Sequence, residues 1–166
     1  MNSDNSKKQA LNSNKKEFKN VEKITKINIS VNKQSIEEMA KLLNISWINK
    51  GVSDQYYPFK ESFEGQWETE VLRPQNKMKF TDIVDICKEE GYSPATIFHV
   101  LSFLLTVKDY SLYRSMLAPA SLYIDDFESI GCVVVSIHGQ ELSLGLGNWR
   151  GFKIGACDIL RVKKIS

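Results

Sequence analysis

Four short runs in the last third of the chain constrain its fold more than any other feature. They are CVVVSIH from residue 132, ELSLGL from 141, WRGFKIG from 149 and DILRV from 158. Each run is rich in β-branched residues or alternates apolar and polar ones, and glycine-containing pairs lie between or beside them, as hairpin turns require. We therefore predict three or four antiparallel strands that form a C-terminal sheet.

The first half of the chain contains two strand signals and one helix signal. ITKINISV predicts a strand because isoleucine and valine alternate with polar residues, and WETEVL predicts a second, short one. Between them, Ser35 and Glu38 have the spacing of a capping box, and Gly51 is a typical residue at which a helix stops. The apolar residues between these signals share one face, which predicts an amphipathic helix.

Residues 81–105, TDIVDICKEEGYSPATIFHVLSFLL, predict a pair of helices joined by a turn. Cys87 is small enough for two helices to cross closely, Gly91 allows a left-handed turn, and Ser93 is a typical cap for the second helix. This spacing resembles the helix-turn-helix of lac-repressor-type regulators, over this segment alone. The resemblance implies a second helix that reads DNA.

The charges of this segment do not suit DNA. No Lys or Arg occurs between Lys88 and Lys108, and the first helix carries Asp82 and Asp85. Seven Lys and three acidic residues give the first 26 residues a charge of +4, so the chain's net charge of +2 leaves −2 for residues 27–166. Because phosphate contacts need concentrated basic residues, a DNA-binding role is disfavoured.

The second helix of the pair has two other interpretations. If Ile97, Val100 and Leu101 point inward, Phe98 and His99 form an uncharged patch that contacts a partner protein. Alternatively, the helix is buried on all sides and His99 bonds to the backbone.

Two further places hold residues that are typical of protein interfaces. Trp149 and Arg150 lie on a predicted hairpin, and Tyr56 and Tyr57 lie in an aromatic-rich loop. The aromatic loop has the alternative of folding back over the core. The glycines around Trp149 do not predict a phosphate loop, because a strand-like run follows them instead of a helix.

Nothing in the sequence has the spacing of a catalytic or metal site. Cys132 or Cys157 would need His138 and Asp158 nearby to act as a nucleophile, and the acidic segment 125–128 lacks the spacing of a calcium loop. We therefore predict no catalytic residue, no cofactor and no metal.

These signals together predict one α+β domain behind a tail. Residues 1–22 are polar and Lys-rich and are expected to be disordered, because they hold too few apolar residues to form a core. Residues 23–166 are expected to form a single compact domain, with a central helix pair and a C-terminal antiparallel sheet. No apolar run approaches the roughly 20 residues needed to span a bilayer, and we expect a cytoplasmic protein.

The function predicted from the sequence is that of a small, non-catalytic protein-interaction or regulatory protein: an adaptor, a regulator or an inhibitory partner. The first alternative is a helix-turn-helix nucleic-acid-binding regulator that uses residues 82–105 and the Lys-rich tail. The second is a Cys- or metal-dependent enzyme.

Overall fold

The computed structural model describes residues 20–124, 130–148 and 156–165. In chain order its elements are β1 (Val21–Val31), α1 (Ile36–Leu42), β2 (Trp47–Ile48), β3 (Gly65–Pro74), α2 (Phe80–Cys87), β4 (Ser93–Pro94), α3 (Ile97–Val107), β5 (Met116–Ile124), β6 (Ile130–His138), β7 (Glu141–Asn148) and β8 (Asp158–Ile165), with short 3-10 turns at Glu61–Phe63 and Glu89–Gly91.

All eight strands belong to one mixed sheet, in the order β1-β3-β8-β5-β6-β7-β2, and β4 also pairs with β8. The β8–β5 and β7–β2 pairs are parallel and the other pairs are antiparallel. The predicted α+β architecture, a central helix pair beside a C-terminal sheet, is therefore wrong. Strands from both ends of the chain meet, because β8 is placed between β3 and β5.

The two faces of this sheet bury different apolar clusters. The inner face packs against α1 and α3, with strand residues such as Ile29, Val133 and Leu160. The outer face packs against α2, where Cys132 and Ile159 lie in the same cluster as three α2 residues. Neighbouring strand positions such as Ile159 and Leu160 serve opposite clusters because successive side chains alternate between the faces of a sheet.

The helix α3 is buried from Ile97 to Leu104, on every side. It contacts β1 and β5 as well as α1. Its sequence is apolar almost all round, which is typical of a helix inside a core. Of the two interpretations of this helix, the structure agrees with complete burial.

The connection between α2 and α3 differs from the predicted tight turn. A helix-turn-helix has a turn of about three or four residues, whereas here a 3-10 turn and β4 separate the two helices. Ser93 does not cap α3, because Ser93 and Pro94 form β4 and pair with Val162 and Arg161. The cap is Thr96.

Two other boundaries are also corrected. The capping box of Ser35 and Glu38 is present, which confirms the predicted start of α1, but α1 ends at Leu42 and does not reach Gly51. The chain then forms β2 against β7. The spacing of KDYSLYRSMLAPAS, from Lys108, predicts either an extension of α3 or a third helix from Asp109; the structure instead begins β5 at Met116.

The strands predicted from ITKINISV, WETEVL, CVVVSIH, ELSLGL and DILRV are confirmed as β1, β3, β6, β7 and β8. The strand β1 starts at Val21, two residues before the predicted start of the domain. The run WRGFKIG, the acidic segment 125–128 and most of the predicted tail lie outside the described residues.

Candidate functional site

The outer face of the sheet is only partly covered by α2, and three large apolar side chains are exposed beside it. They are Leu122 and Ile124 on β5 and Ile130 on β6, and Ile124 is 71% exposed. Ile124 pairs directly with Ile130, and Leu122 with Cys132. Directly paired residues point to the same face of a sheet. All three side chains are therefore on the outer face, the face on which Cys132 packs against α2.

A fourth exposed apolar side chain, Trp47, lies at the opposite end of the same face. Trp47 pairs with Ser143 on β7 and is 55% exposed. A Cβ atom built on Gly145 would lie 3.8 Å from Cζ3 of Trp47, so the indole lies over this glycine. Gly145 follows Leu144, which belongs to the inner cluster, and the indole is therefore on the outer face.

We call this surface the open face; it consists of Trp47, Leu122, Ile124, Ile130, Val134 and Gly145. Val134 pairs with Gly145 in the middle of it. Over the described stretches of β6 and β7, the other outward positions between its two ends are uncharged. An apolar surface that lacks charges at its centre is typical of a protein–protein interface.

The orientation of β5 on this face depends on a glycine. Gly131 pairs with Tyr123, and a Cβ atom at Gly131 would lie 2.3 Å from both the Gly147 carbonyl oxygen and the Tyr123 ring. Only a residue without a side chain fits there. The ring of Tyr123 thus packs on the inner side of the hairpin, and its neighbours Leu122 and Ile124 point outward.

A charged cluster occupies a different part of the outer face, around Arg161 on β8. Its guanidinium is 1% exposed, forms ion pairs with Glu70 and Glu90, and donates to the carbonyl oxygens of Ile86 and Glu89. The Tyr92 ring lies 4.2 Å from its Cζ atom. These contacts fix the turn after α2 to the sheet, and they engage all three guanidinium nitrogens within the protein.

The cysteines do not form the nucleophile considered from the sequence. Burial raises the pKa of Cys132 well above its usual range, and it also raises the pKa of Cys157. Cys132 and His138 lie on one strand, six positions or about 20 Å apart. Asp158 already accepts hydrogen bonds from the Arg73 side chain and the Arg114 backbone.

No group of three or more His, Cys, Asp or Glu residues within the described ranges is arranged to hold a metal ion. None of the helices found there has the length and apolar character to cross a bilayer.

The predicted partner contacts are placed very differently by the structure. Phe98 and His99 are buried inside the core, so the predicted helix patch does not exist as a surface. Tyr57 is buried too, and Tyr56 is exposed. Trp149 and Arg150 lie outside the described residues.

The aromatic loop folds back over α3. Phe59 and Phe63 contact the Phe98 ring, with centroids 5.1 and 5.9 Å away, and Trp67 lies 4.5 Å from the His99 ring. This agrees with the alternative in which the loop covers the core. Of its residues predicted as contacts, only Tyr56 retains an accessible side chain.

Inside this aromatic environment His99 is held as a neutral base. Its Nδ1 accepts from the Thr96 backbone N–H at 3.2 Å and lies 2.7 Å from the Thr96 hydroxyl, so the ring proton is on Nε2. Among the residues that the structure describes, none is a hydrogen-bond partner of Nε2. Burial, and secondarily the charge of Lys164, lowers the pKa of His99 to about 4.

The sequence did not predict the open face, although the alternation of apolar residues in β5 indicates part of it. In SLYI, Leu122 and Ile124 alternate with other residues as they would in a strand with one apolar face. The pattern does not show which apolar face is covered. That depends on α2, which packs on the outer face beside β5 and leaves the hairpin end of β5 and β6 open.

No protein-family model, curated protein or solved structure matches this chain.

Proposed function

We propose that this is a non-catalytic interaction protein that binds a protein surface through the open face. The observation that carries the proposal is the pair formed by Ile124 and Ile130, which leaves two large apolar side chains exposed next to the outer core. Covering these side chains removes apolar surface from water, which favours a complex. Trp47 adds a tryptophan, one of the residue types that most often supply a large share of the binding energy at protein interfaces.

The alternatives have less support. A nucleic-acid-binding role through residues 82–105 needs an accessible second helix, whereas α3 is buried on all sides and has no charged side chain. A Cys-dependent enzyme needs an activated thiol, whereas burial raises the pKa of both candidate cysteines, Cys132 and Cys157.

Site-specific photo-crosslinking in cells tests the proposal. A photoreactive phenylalanine analogue placed at Ile124 is expected to give a discrete protein adduct. The matched control is Leu112, which is 65% exposed but lies in the loop between α3 and β5. Equal labelling from both positions, or no adduct from Ile124, Ile130 and Trp47, contradicts the proposal.

A further inference from the structure

We propose that residues 58–64 form an acid-sensitive lid, which lifts off α3 when His99 is protonated. The lid lies between Tyr57, which is buried, and Gly65, which begins β3. It packs over the first turn of α3, on the inner side of the sheet. Its opening therefore does not depend on what binds the open face.

The surroundings of His99 suit a neutral imidazole and not an imidazolium. His99 is 2% exposed, and none of the described residues accepts a hydrogen bond from its Nε2. Its Nδ1 accepts from the backbone N–H of Thr96 at 3.2 Å. Protonation would turn Nδ1 into a donor, and two N–H groups would then face each other. In the closed protein an imidazolium therefore loses this hydrogen bond and is also kept away from water.

Lys164 adds a positive charge beside His99. It lies on β8 and pairs with Trp67 of β3, and its Nζ is 5.4 Å from the centroid of the Trp67 ring. That ring is in turn 4.5 Å from the ring of His99. Burial and, to a smaller degree, this positive charge lower the pKa of His99 to about 4. The lid and its neighbours thus oppose protonation as long as the lid is closed.

No carboxylate among the described residues faces His99 to compensate its charge. Arg73 and Asp158 pair with each other at the far end of the strands, six positions or about 20 Å from Trp67 and Lys164. The element β5 has no charged residue. Three charged residues of β3 and β8 point to the outer face: Glu68, Glu70 and Arg161. The remaining charged residues of the lid, α1, β1 and β8 are exposed: Glu22, Lys23, Lys26, Glu37, Glu38, Lys41, Lys60, Glu61, Glu64 and Lys163.

The lid is held to the rest of the protein by few hydrogen bonds. Within the described part of the chain, its backbone-to-backbone hydrogen bonds are all internal. From the sheet, Trp67 Nε1 donates to the carbonyl oxygen of Phe63 at 2.8 Å, and Lys164 Nζ donates to that of Ser62 at 3.2 Å. Gly65, with a φ of 126°, allows the chain to change direction next to β3. A segment attached in this way opens at a lower cost in free energy than the sheet.

Opening of the lid and protonation of His99 favour each other. In the open form water reaches the imidazole, which then takes up a proton near its ordinary pKa of about 6.5, whereas the closed form does so only near 4. The ratio of open to closed protein should therefore rise about twentyfold between pH 7 and pH 5. Opening also exposes the rings of Phe59, Phe63 and Phe98, which pack together under the closed lid.

Hydrogen exchange at the Trp67 indole, followed by NMR, tests the proposal. Its Nε1–H is bonded to a lid carbonyl and is freed when the lid opens. The protection factor, taken relative to a free indole at the same pH, is expected to fall about twentyfold between pH 7 and pH 5. In His99→Gln it should not depend on pH. The matched control His138→Gln replaces an exposed histidine and should retain the wild-type dependence.

Two further variants keep the test decisive if His99→Gln does not fold. His99→Phe keeps an aromatic ring that cannot be protonated, and its protection factor should also be independent of pH. Phe63→Ala keeps His99 and the carbonyl acceptor but removes a ring that packs on Phe98. It should lower the protection of the Trp67 indole at pH 7 roughly tenfold.

Three results would overturn the proposal. The first is a protection factor that changes with pH equally in wild type and in the non-titrating variants, or that does not change at all. The second is a Phe63→Ala variant with wild-type protection. The third is exchange of the Trp67 indole at the same free energy as the amides that pair β3 with β8, because the lid would then open only when the whole sheet unfolds.

Discussion

Arg161 brings a guanidinium into the outer face of β8, where almost none of its surface reaches water. Its carboxylate partner Glu70 is also buried, so the two charges depend on each other. Removing one partner of a buried pair leaves an uncompensated charge, which costs more than the pair itself contributes.

We therefore predict that Arg161→Met lowers the free energy of unfolding by about 3 kcal/mol. The estimate is at the low end for a buried pair because Lys23, 3.6 Å from Glu70, still compensates part of that charge. Lys163→Met, at the exposed position two residues along β8, is the control and should unfold close to wild type. Urea denaturation measures both, and equal midpoints would refute the assignment.

His99 couples the stability of the core to pH. Its pKa is about 4 in the folded protein and about 6.5 in an unfolded chain. Between these values the unfolded chain binds the proton and the folded protein does not. The contribution of His99 to the free energy of unfolding is therefore complete above pH 6.5. As the pH falls to 4, up to about 3 kcal/mol of that free energy is lost.

The variant His99→Gln should remove this part of the pH dependence. Glutamine keeps an acceptor for the Thr96 N–H, as in an ordinary capping box, and does not titrate. Unfolding free energies measured between pH 4 and 7 should fall less steeply for this variant than for wild type. The control His138→Gln replaces an exposed histidine and should retain the wild-type slope. A shallower slope in this control would mean that the pH dependence does not come from His99 alone.

Among the elements, the start of α3 shows what local sequence can and cannot predict. Both Ser93 and Thr96 are residue types that cap helices. The structure selects Thr96, because Ser93 and Pro94 pair with β8. That partner strand is far away in the sequence, so local sequence patterns could not make this choice. The capping box of α1 was predictable because both of its members are local.

A matched pair of substitutions distinguishes the two caps. Thr96→Ala removes the hydroxyl beside His99 Nδ1 and should cost about 1 kcal/mol of stability. Ser93→Ala changes an exposed side chain whose backbone pairing is retained, and it should have little effect. Thermal melts of both variants test the prediction, which fails if Ser93→Ala is the more destabilising.

Five of the eight strands were predictable from their alternation, and the arrangement of the sheet was not. Periodicity gives the position of β8, but its neighbours β3 and β5 come from other parts of the chain. The same holds for the open face. In the sequence, Ile124 is not distinguished from the apolar residues of the core. Its exposure follows from the position of α2, which leaves this side of the β5–β6 hairpin uncovered.

At the scale of the whole molecule, the C-terminal strand is the centre of the fold. β8 pairs with β3, β4 and β5, and it carries the buried Asp158 and Arg161. Its pairing with β3 joins residues widely separated in the sequence, and such contacts form only after long loops close. The chain should accordingly be unable to complete its core until the last strand is present.

We predict that a chain ending at Cys157 does not fold cooperatively, whereas a chain without residues 1–19 does. Loss of β8 leaves β1 and β3 without their connection to β5 and exposes both apolar clusters. Residues 1–19 precede β1 and are mainly polar, so their removal takes little apolar area from the core. Urea unfolding followed by near-ultraviolet circular dichroism should show a single transition for the N-terminal truncation and none for the C-terminal one. A cooperative transition in the chain ending at Cys157 would mean that the sheet can close without its central strand.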